Sequence, residues 1–409
     1  MKLSFFRRRS WKKHLAVAVT AGLLAGAYAP GVMAADYSNK QIKGSLTSDQ
    51  KTFGAEAVTK AEDGTLIYDL GEAMNFVNTS NAATVTNTIP SNLLVKNDVN
   101  IIVKGGDFGV NGISAGYSNP SFNKDGTKRA ALTFDGNVTM RNKDVEGGWA
   151  ITGSTIHGGY ANYKGARWQP NAVRAGLLGD ITFNGALDIA VKGSGIVTDP
   201  YYVAKNVDQY GTATINVNGN VNIDTPHEYT EAYYSVANYG GTINVNTDGA
   251  NVGDSKVVLN GNIITMRDTE GEATNPYFYR SGRTNIALTN KDSVWNGVID
   301  NTSAAQTGEV NLWLQNAATW NHQAMSLTGG ITLGIVPYPS NEHYGQYDSI
   351  SHVNNLVGGK SAESSGYLYQ KDSAAIDIAN YSGYTTVYYE HINSGVNASD
   401  YAAGDITIQ

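Results

Sequence analysis

Serine, histidine and carboxylate residues set the chemistry this chain could attempt. Gly112-Ile113-Ser114-Ala115-Gly116 fits the G-x-S-x-G pattern, in which a strand-to-helix turn exposes a serine nucleophile. Tyr117-Ser118-Asn119-Pro120-Ser121 follows it, a turn in place of the helix, so the stretch reads as a loop. Gly253-Asp254-Ser255 opens a strand in mid-chain and reads as a loop as well. After the leader, the histidines at 157, 227, 322, 343, 352 and 391 show no His-x-x-x-His or Glu-x-x-His spacing and read as mostly solvated. His343, Asp348 and His352 lie closest together, in a polar loop that does not amount to a metal site. Asn246-Thr247-Asp248-Gly249 and Asn123-Lys124-Asp125-Gly126 are oxygen-rich turns without the acid ladder of a calcium loop. Asp107, Asp135 and Asp188 fall in similar surroundings near glycines. An acidic row for cleaving polysaccharide is one reading of them, and stacked Asn/Asp side chains at turns is the simpler one. No cofactor and no metal is assigned.

Binding is the other chemistry open to the chain. Polar, aromatic-bearing loops occupy about 141–179, 192–211, 224–240 and 266–283. Trp149, Trp168, Tyr201, Tyr202, Tyr233 and Tyr234 are their candidate contact residues. Such side chains supply large contact area at small entropy cost. The simpler reading makes them lids over the wall of the fold. Either way, loops that follow the same point of a repeat emerge on one side.

The elements that would position them alternate strictly. In Thr214-Ile215-Asn216-Val217-Asn218-Gly219-Asn220-Val221-Asn222-Ile223 every second residue is apolar, which puts branched side chains on one face of a strand and amides on the other. Gly219 marks a corner. The same strand–corner–strand shape recurs at 131–140, 180–189 and 256–265, and more faintly at 101–108. The corner glycines 105, 136, 185, 219 and 261 are 31, 49, 34 and 42 residues apart. A constant core at irregular spacing predicts an all-β solenoid whose coils carry insertions of different length. Coils of ~20–25 residues would give about 15 of them and a rod of roughly 70 Å. No amphipathic helix is evident in the mature chain. Residues 35–100 read as a cap and first coils, 101–330 as the repeats, and 331–409 as further coils. Trp295 and Trp320 end two similar stretches 25 residues apart, where stacked indoles would close the core.

Composition sets outer limits. Forty-six Gly, 25 Tyr and 9 Pro fit β structure with many turns. Residues 1–34 combine Arg7, Arg8, Arg9, Lys12 and Lys13 with an apolar run and Val32-Met33-Ala34, the pattern of a secretory signal peptide cut before Ala35. Without its six basic residues the chain has 23 basic and 36 acidic residues, a net charge of −13. Such a surface repels nucleic acid. The absence of cysteine in an exported chain suits a protein that crosses a second barrier unfolded.

Ser293-Val294-Trp295-Asn296-Gly297-Val298-Ile299, Leu314-Gln315-Asn316-Ala317-Ala318-Thr319-Trp320, and the tail stretches 367–372, 376–383 and 387–391 resemble passenger domains of bacterial autotransporters. The resemblance covers about 100–409 by repeat style. It implies a right-handed parallel β-helix, secreted or held at the cell surface through the outer membrane; the stiff scaffold with aromatic loops on one side then points to adhesion to host cells or glycans. A polysaccharide-cleaving enzyme or esterase is the alternative. The family ends in a membrane barrel, whereas this sequence stops in the alternating Ile406-Thr407-Ile408 with no room for one. A fragment, or a solenoid released by other means, is the expectation, with self-association through an uncovered sheet edge.

Overall fold

The computed structural model of the chain describes residues 35–79, 82–103, 112–116, 128–141, 171–191, 193–199, 213–225, 234–265, 267–268, 280–300, 308–323, 350–370, 375–389 and 406–408. The leader reading of 1–34 lies outside them.

Strands of period two are here copied and wound. Gly179–Phe183, Leu187–Ala190 and Ser194–Thr198 make one coil, and Ala213–Val217, Val221–Asp224 and Tyr234–Asn238 the next. Each strand pairs in parallel with its counterpart one coil on, with Ile181 beside Ile215, Ile189 beside Ile223 and Ile196 beside Val236. Stacking in this way produces three sheets, of 11 strands (sheet A), 7 strands (sheet B) and 13 strands (sheet C). The fold is an all-β parallel β-helix in which the chain visits C, then A, then B. Sheet C holds eleven consecutive parallel strands, from Leu66–Tyr68 to Ile406–Ile408. At ~4.8 Å per coil that stack is roughly 50 Å long. Among the described residues that is fewer than the 15 coils expected, because successive strands of the sheet lie up to 49 residues apart in sequence.

Inside, like residues meet like. Phe134 and Phe183 stack at 5.2 Å between centroids, and Trp295 and Trp320 at 4.6 Å with planes 4° apart. Both indoles are buried, and each Nε1–H donates to a carbonyl, Trp295 to Gly261 at 3.0 Å and Trp320 to Gly297 at 2.9 Å. The pair closes the core as its spacing predicts.

Outside, amides form ladders. Asn244 donates to Asn216, Asn285 to Asn244 and Asn311 to Asn285, each at 2.8 Å, and Asn355 donates to Asn311 at 2.6 Å. A second ladder on sheet A runs from Asn321 to Asn296 to Asn260. A third lines the C-to-A corner, from Asn218 to Asn184 to Asp135. In this corner the glycines stack as well: a Cβ on Gly185 would strike the backbone of Gly136, and one on Gly219 that of Gly185. Close approach, rather than backbone dihedral, is what demands glycine there.

Gly261 belongs elsewhere, which corrects the reading of 256–265 as the same unit. Val257–Asn260 is in sheet A and Asn262–Thr265 in sheet B, so Gly261 (φ +152°) turns the A-to-B corner and stacks on Gly297. The C-to-A corner of that coil is the longer 246–256. Gly105 lies outside the described residues.

The N-terminal end contains the helix that the sequence did not announce, Leu46–Phe53. Its Phe53 packs edge-on to Tyr37, Tyr68 and Phe76 at 5.0, 6.4 and 6.4 Å. The helix is tied down by Asp49, whose buried Oδ2 accepts from the backbone N–H of Lys43, Gly44 and Ser45 and from the Tyr68 hydroxyl at 2.6 Å. Sheet C begins with an antiparallel pair, Val58–Lys60 on Leu66–Tyr68, which covers its first parallel edge. At the other end Tyr381 and Val387 continue the interior columns of Leu356 and Leu368, yet are 37% and 36% exposed. Among the described residues no helix is long and apolar enough to cross a membrane.

Candidate functional site

Sheet B decides where a decorated side can be. Its strands are buried on both faces between 194 and 265. Ile196, Val236 and Ile263 point into the main core, while Val197, Ala237 and Ile264 join Tyr234 and Tyr239 in a separate outer cluster. Chain outside the described residues enters and leaves around this sheet. Residues 142–170 and 226–233 depart from sheet A and return in sheet B, and 200–212 depart from B and return in C. The aromatic segments therefore do not all follow the same point of the coil, contrary to expectation, since the described strands before them belong to two different sheets. Each of the segments 141–179, 192–211 and 224–240 also contains a sheet B strand, Asn171–Ala175, Ser194–Thr198 and Tyr234–Asn238. Tyr234 is 3% exposed in the outer cluster, which removes it from any accessible contact surface. Trp149, Trp168, Tyr201, Tyr202 and Tyr233 lie outside the described residues.

The serine and acid candidates are engaged in structure. Ser114 sits in the sheet B strand Ile113–Ala115, opposite Arg174, and is not in a loop. Ser255 donates its hydroxyl to the Asn218 carbonyl at 2.8 Å. Asp135 accepts from Asn184 in the corner ladder, whereas Asp188 is on the outer face of sheet A, held by Arg141 and by Asn222 at 2.8 Å. The two are not equivalent, and Asp107 lies outside the described residues. Asp180 is clamped by Arg129 at 2.6 Å, and Asp199 by Arg174 at 3.0 Å. A carboxylate held in such a pair has its oxygens committed to the guanidinium rather than to a reacting group. In the turn at 246–249, Asp248 accepts from the backbone N–H and side-chain amide of Asn251 and from the N–H of Ala250, bonds that lower its pKa to about 2. The other oxygen-rich turn, 123–126, lies outside the described residues, as do His157, His227, His343, Asp348 and His391. Among the described residues no group of three or more His, Cys, Asp and Glu could hold a metal.

Sequence reading missed a serine–histidine pair. His322 and Ser351 are both buried, with Nε2 and Oγ 2.9 Å apart, so His322 is not the solvated residue expected. His352 is also mostly covered, its Nδ1 3.1 Å from Asp377. Ser351 Oγ accepts from the Ile299 N–H at 3.0 Å and donates to the Ile299 carbonyl at 3.2 Å. Among the described residues Ile299–Asp300 is the last strand of sheet B, and Ser351 hydrogen-bonds both its backbone N–H and its carbonyl at Ile299. A hydroxyl has one hydrogen. Given to Ile299, it leaves Ser351 accepting from His322, the reverse of the polarity a nucleophile–base pair needs.

Among the described residues, exposed aromatics concentrate at the C-terminal coils. Tyr367 and Tyr369 on Gly366–Gln370, with Tyr388 on Thr385–Tyr389, share the outer face of sheet A. Tyr369 and Tyr388 stack at 4.6 Å, and Tyr367 lies 6.0 Å from Tyr388. Tyr388 keeps 43% of its surface exposed, and Tyr384 at the neighbouring corner is also exposed. These tyrosines alternate with core residues in the sequence, which is the signal that marks them as outward-facing strand positions rather than loop residues.

The class that this architecture defines is a parallel β-helix. No family model, curated protein or solved structure matches the chain.

Proposed function

We propose that this chain is the exported, non-catalytic binding rod of an autotransporter-like protein, released from its leader before Ala35 and presented at the cell surface or in the medium. What supports the reading is the use made of the polar side chains. The described serines, carboxylates and amides that could have formed a reactive centre are spent on ladders, Arg clamps and edge capping. What remains is a stiff scaffold with aromatics at its surface, and binding needs no more. Its partners would be host-cell or glycan ligands, a translocator barrel acting on the passenger, and further copies of itself.

The test is attachment of the purified mature chain to host cells and immobilised glycans. Alanine at Trp149, Trp168, Tyr201, Tyr202 and Tyr233 is expected to weaken it, with circular dichroism unchanged; Tyr234 is left in place because it is buried. Unchanged attachment would dismiss the loops as the contact face. Turnover of a polysaccharide or ester by the wild-type chain would overturn the class, and a mature N-terminus at Met1 would overturn export.

A further inference from the structure

The geometry points to the outer face of sheet A between 257 and 389 as a binding site for a neutral oligosaccharide, with Tyr367 and Tyr388 as its aromatic contacts and Asn260, Asn296 and Asn321 as its hydrogen-bonding row. This rests on the binding-rod reading above and names a site and ligand class for it.

One column of outward residues carries the argument. Strand pairing aligns Asn260, Asn296, Asn321, Tyr369 and Tyr388 in five successive coils, so three amides lead straight into a tyrosine stack. The adjacent outward column runs Val258, Val294, Thr319, Tyr367 and Thr386. At ~4.8 Å per coil the strip is about 20 Å long, enough for several sugar rings laid along the axis.

Amides on the strip are partly engaged and partly available. Asn321 donates to Asn296 at 2.7 Å and Asn296 to Asn260 at 2.6 Å, which fixes the planes of all three side chains. A primary amide has two N–H donors and two acceptor lone pairs. Each bond in the ladder uses one donor of one residue and one lone pair of the next. Asn296 and Asn321 thus keep a second N–H, and all three half-buried side chains keep acceptor capacity at the surface. A donor and an acceptor held side by side suit a hydroxyl, which needs both. Sugars combine such hydroxyls with apolar C–H groups that pack against aromatic rings, and the exposed Tyr388, with the Tyr367 ring tilted 57° to it, supplies such a surface at the end of the row.

Charge narrows the ligand. The strands Val257–Asn260, Val294–Asn296, Thr319–His322, Gly366–Gln370 and Thr385–Tyr389 contain no Lys, Arg, Asp or Glu, and their one histidine, His322, is buried in the core. Elsewhere the described outer walls carry Arg–carboxylate pairs, such as Arg141 with Asp188 and Arg283 with Glu309. With no cation on the strip and an acidic chain around it, an anionic glycan would be repelled, and a neutral one is not.

The experiment titrates the folded mature chain with cellohexaose, xylohexaose, mannohexaose and N-acetylchitohexaose, by calorimetry and by amide chemical shifts. At least one is expected to bind, with affinity unchanged between ~0.05 and ~0.5 M salt. Tyr388→Ala, at an exposed position, should weaken that binding about tenfold, the size of one lost aromatic contact. Tyr388→Trp should retain it, and the Tyr201→Ala/Tyr202→Ala loop variant should not change it. Full binding by Tyr388→Ala, or loss in the loop variant alone, overturns this site and leaves the binding-rod reading standing. A strongly salt-dependent affinity overturns the neutral-ligand assignment. No binding of any hexasaccharide, with a change in sedimentation on Tyr388→Ala, makes the patch a contact between copies and overturns the inference. Absence of both hexasaccharide binding and attachment to cells sinks the binding-rod reading along with it.

Discussion

Replacing Trp320 by alanine should cost this protein more than replacing Trp295, although the two indoles are stacked on each other and equally buried. Removing a buried tryptophan costs ~3–5 kcal/mol in transfer and cavity terms. The partners of the two N–H groups differ. Trp295 donates to the Gly261 carbonyl, which also lies within reach of the Ser235 hydroxyl at 3.2 Å. Trp320 donates to the Gly297 carbonyl, for which the indole is the donor seen. Leaving a buried carbonyl without a donor costs a further ~1–3 kcal/mol. Trp320→Ala is therefore expected to lose about 4–8 kcal/mol locally, at least ~1 kcal/mol more than Trp295→Ala. Trp320→Phe keeps most of the volume and should lose mainly the hydrogen bond, about 1–3 kcal/mol. Coils contact chiefly their neighbours, so the damage should stay local. Hydrogen exchange would show protection lost around Val294–Asn296, Thr319–His322 and Gly366–Gln370, with the Ala213–Val217 coil unchanged. Equal costs for the two alanine variants, or protection lost evenly along the stack, would refute the reasoning.

Three further outcomes are expected. Burial and the neighbouring Asp49 raise the pKa of Tyr68 above that of a free phenol. Its contribution to stability is therefore complete below pH ~10 and falls as pH rises beyond it, because the unfolded chain ionises first; Tyr68→Phe should flatten this alkaline loss in denaturant titrations. Ser351→Ala should destabilise by about 1–3 kcal/mol, since Ile299 loses its partners, and a fluorophosphonate probe should leave Ser351 unlabelled; labelling would revive the esterase alternative. Gly219→Ala drives a Cβ into the Gly185 backbone and should abolish soluble expression or lower the melting temperature by many degrees, whereas Gly71→Ala, with open space around it, should show only the smaller cost of a positive φ; equal effects would deny the corner stack its role.

Sheets A and C were legible in the sequence because one face of each strand is wet. Ala213–Val217 and Val221–Asp224 alternate buried and half-buried residues, so the period of two appears directly in the order Ile-Asn-Val and Val-Asn-Ile. The corner glycines at 136, 185 and 219 were legible for a similar reason, since backbone stacks on backbone there and no side chain fits. So was the stacking of Trp295 on Trp320, because a 25-residue spacing is one coil. Sheet B was not. Ser194–Thr198 and Tyr234–Asn238 are covered on both faces, and burial on both faces erases the alternation that marks a strand. Reading those strands as loop put Tyr234 on a contact surface when it lies in an outer core beside Val197 and Ile264. The Ser351–His322 pair could not be read either, because it exists only where strands 29 residues apart in the sequence are brought together and Ser351 bonds the backbone of Ile299. The sequence alone determined which residues face inward along each alternating strand, since that is local and periodic. Only the tertiary structure decided which corner each glycine turns and which outward residues line up, because both depend on the register between coils 25 to 50 residues apart.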